Sequence, residues 1–170
     1  EVAEVRLPDE LDDLDGLIIP GGESTTIIQL IDLYGLRNPL ISKIQSGMPT
    51  WGTCAGMIVL AGSLIDERPD PLHLMDIEVS RNAFGAQVDS FESFISVKHI
   101  GDSKIRAVFI RAPVVTKVGK NVEIMAKLDN GIPVCVRDQN MLATAFHPEL
   151  TEDNRIHQYF VDLVNQNIVS

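Results

Sequence analysis

The sequence predicts an α/β domain of three layers, with helices on both faces of a mostly parallel, mixed central sheet. Three observations carry that reading. The apolar run Leu17-Ile18-Ile19-Pro20 leads into a helical segment, and a second helical segment leads to a short extended run. That run turns sharply into an apolar helix at Gly52-Thr53-Cys54-Ala55-Gly56. A β-α-β-α order of this kind makes a parallel sheet covered by helices, and the strand-like runs beyond residue 71 make it mixed. With 170 residues, 45% hydrophobic and 22% charged, the chain reads as one globular domain over residues 1–170.

The elements follow in order. Residues 2–7 alternate and read as a strand. Leu17 to Pro20 is fully apolar, as a buried parallel strand should be. Gly21-Gly22-Glu23-Ser24 opens a helix that runs to Leu33. Asn38-Pro39 is an N-cap and first-turn pair for a second helix, which Gly47 ends. Residues 48–52 are extended, and the apolar run 57–61 continues as helix to Gly62. A Pro/Asp-rich stretch, 66–71, then gives way to strands at 77–79, 91–97, 107–110, 122–125, 134–136 and 141–146. Asp129-Asn130-Gly131 is a strong hairpin turn. Thr151-Glu152-Asp153 caps a last helix with Ile156, Phe160, Leu163 and Val164 on one face.

Composition narrows the function. A net charge of −10 with no basic run argues against nucleic acid or an anionic membrane surface as partner. No apolar run approaches the ~20 residues that span a bilayer. Two cysteines, Cys54 and Cys135, make neither a disulfide framework nor a metal motif, so both read as reduced thiols of a cytoplasmic protein.

Cys54 stands where an extended run becomes a helix, between two glycines that keep a tight turn uncrowded. There a thiol meets unpaired backbone N–H groups and the positive end of a helix dipole, which favour thiolate. A small buried cysteine in a Gly-containing turn has the same spelling. A nucleophile needs a base and an orienting partner. Of four histidines, His73, His99 and His157 read as structural or solvated, whereas His147 closes a strand with Glu149 two residues on. In extended backbone, which Pro148 favours, positions two apart share a face, so the carboxylate can hold the imidazole. Ile18-Ile19-Pro20-Gly21-Gly22-Glu23-Ser24 places two glycines at the end of a parallel strand, where N–H groups can face a developing oxyanion. No phosphate-binding glycine pattern accompanies it. Thiol turn, His-x-Glu strand end and Gly-Gly loop together indicate acyl transfer through a thioester. Cys135 reads as core.

GTCAG, PGGEST and FHPEL together resemble a class I glutamine amidotransferase domain of flavodoxin-like fold. LDGLIIPGGESTTI, SRNAFGAQVDSFE, FIRAP and FHPELTED more narrowly resemble the PdxT/SNO family, the glutaminase subunits of pyridoxal 5′-phosphate synthase. The resemblance implies hydrolysis of L-glutamine to L-glutamate and ammonia for vitamin B6 biosynthesis. Cys54 would be the nucleophile, His147 the general base and acid, and Glu149 its orienting carboxylate. It puts Gly22, Glu23, Ser24, Arg81, Ile110 and Arg111 on the glutamine-binding positions, with N–H groups of Gly22 and Ala55 as oxyanion donors. An arginine suits an amino acid's α-carboxylate, which it can grip bidentately. No metal or organic cofactor is implied. The implied partner is the (β/α)₈ synthase subunit (PdxS/SNZ) in a hetero-oligomer. Two alternatives share the motifs: the glutaminase of another class I amidotransferase, serving histidine, purine or anthranilate synthesis, or an inactive scaffold of the same fold. The resemblance also implies a further strand and helix ahead of Glu1.

Overall fold

The computed structural model describes residues 1–81 and 90–169. The central sheet has five strands, β1 (Leu17–Ile19), β2 (Thr50–Thr53), β8 (Glu123–Lys127), β9 (Pro133–Asp138) and β10 (Met141–Thr144). Their order is β1-β2-β10-β9-β8. β2 lies parallel to both β1 and β10, while β9 is antiparallel to β10 and to β8. The β8–β9 hairpin turns where expected, with Gly131 at φ +86° and the Asn130 side chain accepting from Ile132 N–H.

Helices cover both faces because successive β2 residues point opposite ways. Gly52 faces α3 (Ala55–Leu60), so closely that a Cβ would lie 2.4 Å from Gly56 O. Trp51 faces α4 (Arg155–Val169), its ring 5.1 Å from His157 and 5.6 Å from Phe160. Ile156, Phe160 and Leu163 are buried on that helix, as its apolar face requires. α1 (Ser24–Leu33) packs beside α3, and α2 (Arg37–Gln45) against the 3₁₀ turn Pro8–Leu11. β4 (Met75–Ser80) pairs with β3 (Ala61–Leu64) in parallel and with β7 (Val114–Val118) antiparallel. β5 (Ser90–Ile95) and β6 (Ile105–Ile110) form a two-stranded ribbon.

Several expectations need correction. Residues 2–7 form no strand: Glu10 takes the N–H groups of Arg6 and Leu7 at 2.6 and 2.8 Å, groups that a strand would give to a neighbour. Ile18 is 45% exposed rather than buried, and among the described residues β1 pairs only with β2. α2 begins at Arg37, so Asn38 lies inside the first turn rather than capping it, and Pro39 is tolerated where N–H groups lack helical partners. The apolar run after Cys54 is helical only to Leu60; Ala61 already belongs to β3. That strand and β7 escape a reading by pattern, being short and flanked by other apolar runs.

Candidate active site

Three strand ends meet at one edge of the sheet. Ile19 is in register with Gly52, and Thr53 with Thr144, so the segments after β1, β2 and β10 emerge side by side. They carry Gly21-Gly22, Cys54 and His147 respectively. The carboxyl ends of parallel strands are where open α/β sheets bind ligands.

Cys54 has φ +51° and ψ −104°, strained for a residue with a Cβ. The turn is held by Cys54 N–H donating to Thr144 O at 2.7 Å and Met57 N–H to Cys54 O at 3.0 Å. The side chain is buried, its Sγ 3.9 Å from Ile110 O at the end of β6. Burial pushes the thiol's pKa up, and the negative charge of Glu149 adds to this. The Ala55 N–H and the Arg111 guanidinium pull it down without prevailing. The N–H groups expected to favour thiolate do pull in that direction, but α3 is only six residues long and desolvation outweighs them. A measurable consequence follows. Alkylation of Cys54 by iodoacetamide is expected to be slow at neutral pH and to climb as pH passes a thiol's ordinary value of about 8.5. Wholly buried Cys135, its thiol pushed far up by desolvation, should be spared. An inflection below pH 7 for Cys54 would mean that a thiolate–imidazolium pair already exists at rest.

His147 Nδ1 lies 2.6 Å from Glu149 Oε1, and its backbone N–H donates to Val108 O at 2.8 Å. The segment is not extended as expected. Pro148–Leu150 form a 3₁₀ turn with His147 at its cap, and the turn itself brings Glu149 back to the ring. Gly21 closes the arrangement: a Cβ there would stand 2.6 Å from His147 Cε1 and 3.6 Å from Cys54 Cβ. The imidazole and the thiol side chain thus flank one glycine. Sequence reasoning treated Gly21 as part of an N–H-donating loop and missed this packing role.

Several of the other predicted residues are linked to one another or to Cys54. Gly22 has φ +145°, open to glycine alone at little cost. Glu23 precedes α1 and accepts from Thr25 N–H at 3.1 Å; that bond first, then Arg81 and Arg111, hold its carboxyl below the usual range. Ser24 is buried at the start of α1 and Ala55 at the start of α3. Arg81 donates to Glu23 Oε1 at 2.9 Å and to Arg68 O at 2.7 Å. Ile110 and Arg111 lie at the exit of β6, Arg111 at φ +42°. Asn82 and the rest of the 82–89 motif lie outside the described residues.

The remaining histidines do other work. His73 binds Gly62 O and Asp70, His99 binds Glu123, and His157 stacks edge-on against Trp51. Among the described residues no three His, Cys, Asp or Glu side chains assemble as a metal site. None of the described helices is long and apolar enough to cross a membrane.

The SNO glutamine amidotransferase family model matches residues 1–166. A Dehalococcoides mccartyi protein named pyridoxal 5′-phosphate synthase subunit PdxT is 55% identical over 165 residues, covering 96% of this chain and 85% of that one. A Roseiflexus protein of the same name is 53% identical over 160 residues, covering 93% and 85%. A crystal structure described as a glutamine amidotransferase superposes with a TM-score of 0.91 at 44% identity, covering 97% of this chain and 87% of that chain.

Proposed function

The chain belongs to the SNO glutamine amidotransferase family, and on that premise we propose that it is the glutaminase subunit of a pyridoxal 5′-phosphate synthase, hydrolysing L-glutamine in the cytoplasm. One observation carries the catalytic reading: the His147 ring and Cys54 flank Gly21, while Nδ1 of that ring is held by Glu149 at 2.6 Å. With Nδ1–H donating to the carboxylate, the neutral imidazole keeps its lone pair on Nε2, free to take a proton.

In this mechanism the Cys54 thiol gives its proton to His147 Nε2 as Sγ attacks the side-chain amide carbon. Burial pushes the thiol's pKa up, so a base acting together with the nucleophile is called for. The N–H groups of Ala55 and Gly22 receive the oxyanion. His147 returns the proton to the leaving nitrogen, the C–N bond breaks, and ammonia departs from a Cys54 thioester. Water then attacks the thioester, losing its proton to His147, and glutamate leaves with the thiol restored. Arg81 and Arg111 supply cations for the substrate's α-carboxylate, and Glu23 an anion for its α-ammonium group. No step calls for a metal or an organic cofactor.

Ammonia released into neutral water is protonated and ceases to be a nucleophile. The product is therefore of use only to an acceptor docked over the site, and we assign that place to the (β/α)₈ synthase subunit. The names of the relatives support this branch over glutaminases that serve histidine, purine or anthranilate synthesis. Residues 1–170 act in this proposal as one domain. Glutamine hydrolysis is expected to be weak for the chain alone and to rise on titration with its synthase subunit; 6-diazo-5-oxonorleucine should label Cys54. Labelling at Cys135, or no hydrolysis with the synthase present, would overturn the assignment. Glu149→Gln keeps the shape but loses the charge that stabilises imidazolium, so it should lower kcat by about 10²-fold or more with little change in KM.

A further inference from the structure

Arg81 does not hold itself in place. Its guanidinium is bound by Arg68 O at 2.7 Å, and its backbone N–H by the Asp66 carboxylate at 2.8 Å. Both acceptors belong to the 66–71 stretch, a loop with no regular structure of its own. What fixes that loop fixes the direction in which Arg81 points.

The fastening is Arg37. It is the first residue of α2, where the helix dipole disfavours a cation, and Asp32 lies in the last turn of α1, where the dipole disfavours a carboxylate. Neither charge is placed to help its own helix. They meet instead across the connection, Nε to Oδ1 at 2.6 Å and Nη2 to Oδ2 at 3.2 Å. The fork's remaining donors reach two successive carbonyls of the loop, Asp70 O at 3.0 Å and Pro71 O at 2.9 Å. α1 is therefore riveted to the loop at both ends. Glu23 at its start binds Arg81, and Asp32 at its end binds Arg37. Both arginine side chains are 23% exposed, so each is largely sheltered from competing water.

We propose that Arg37 is a positioning residue for the substrate: by pinning the loop at Asp70 and Pro71, it holds the Arg68 carbonyl that aims Arg81 into the site. The proposal rests on the reading of Arg81 as a cation for the glutamine α-carboxylate. A planar fork with donors in two directions is needed to bind a carboxylate and two carbonyls at once; a lysine has one ammonium centre and cannot span them.

Steady-state glutaminase kinetics in the complex with the synthase subunit test it, using Arg37→Ala, Arg37→Lys, Arg81→Ala and the double variant Arg37→Ala/Arg81→Ala. Misplacing a substrate clamp is expected to raise KM about tenfold in Arg37→Ala, with kcat within about twofold of the parent. Arg37→Lys, which can still pair with Asp32, should fold as the parent does yet recover only part of the lost affinity. In the double variant Arg37→Ala should add nothing to the KM of Arg81→Ala, because both act through one group. If Arg81→Ala raises KM and Arg37→Ala does not, the positioning role is wrong while the site reading stands. Additive effects, or equal loss in kcat and KM, would also overturn it. If Arg81→Ala leaves KM unchanged, the reading of Arg81 fails first and this proposal with it.

Discussion

Cys54→Ala is expected to leave a folded chain whose glutamine hydrolysis, measured with the synthase subunit present, falls by at least about 10⁴-fold. The loss is large because the chain's other cysteine, Cys135, is wholly buried in β9 and cannot take over the acyl group. The fold should survive. Alanine keeps the Cβ, so the strain at φ +51° is unchanged, and the sulfur gives up a long 3.9 Å contact with Ile110 O. The backbone bonds that hold the turn, to Thr144 O and from Met57 N–H, do not involve the side chain. A second variant separates chemistry from strain. Cys54→Gly is equally inactive but should melt no lower than Cys54→Ala, since relief of a disfavoured φ, about 1–3 kcal/mol, exceeds glycine's added chain entropy, about 0.5–1 kcal/mol. Residual hydrolysis in Cys54→Ala within about a hundredfold of the parent would remove Cys54 from the nucleophile's role.

Gly56→Ala is expected to do to stability what Cys54→Ala does to activity. A Cβ at residue 56 would stand 2.0 Å from Ile19 O and 3.0 Å from Ile19 C. These are backbone atoms of β1, fixed by its pairing with β2, so no flexible side chain can swing aside. Gly52→Ala meets the same obstacle from the other direction, 2.4 Å from Gly56 O and 2.8 Å from Met57 N. To admit either methyl, α3 must lift from the sheet and uncover wholly buried Met57, Val59 and Leu60. Several kcal/mol is the expected cost, against a typical total of about 5–15 kcal/mol for a domain. Gly35→Ala is the control: its φ of +69° strains any side chain, but nothing lies within 4 Å. It should cost only about 1 kcal/mol, the backbone effect alone. Urea unfolding of the three variants checks the order; a Gly56→Ala midpoint equal to that of Gly35→Ala would show that α3 does not press on β1 as described.

The elbow was legible in sequence because its requirements are local. A sharp turn from strand to helix needs small residues on both sides of Cys54, and Gly52 and Gly56 state that need directly. The His-x-Glu pair was legible for a similar reason, although the route was misjudged. Its two side chains meet through a 3₁₀ turn rather than an extended segment, since Pro148 fits the first position of either. The strand at residues 2–7 was misread because alternation cannot reveal that Glu10 takes the N–H groups of Arg6 and Leu7. Nothing in the composition of the Pro/Asp-rich stretch 66–71 shows that Arg37 and Arg81 are fastened to it.

By itself the sequence determined which side chains are candidates for the proposed chemistry and where the backbone must bend. Those choices depend on sterics and side-chain type over a few neighbouring positions: glycines about a turn, a carboxylate two residues from an imidazole, an apolar run long enough for a strand. Only the tertiary structure decided that the ends of β1, β2 and β10 share one edge, that Gly21 lies against both His147 and Cys54, and that burial pushes the Cys54 thiol's pKa up. Strand register is set by packing summed over residues far apart in the chain, and desolvation by every atom that excludes water from a site. Neither sum can be taken along the sequence, because its contributors become neighbours only when the chain has folded.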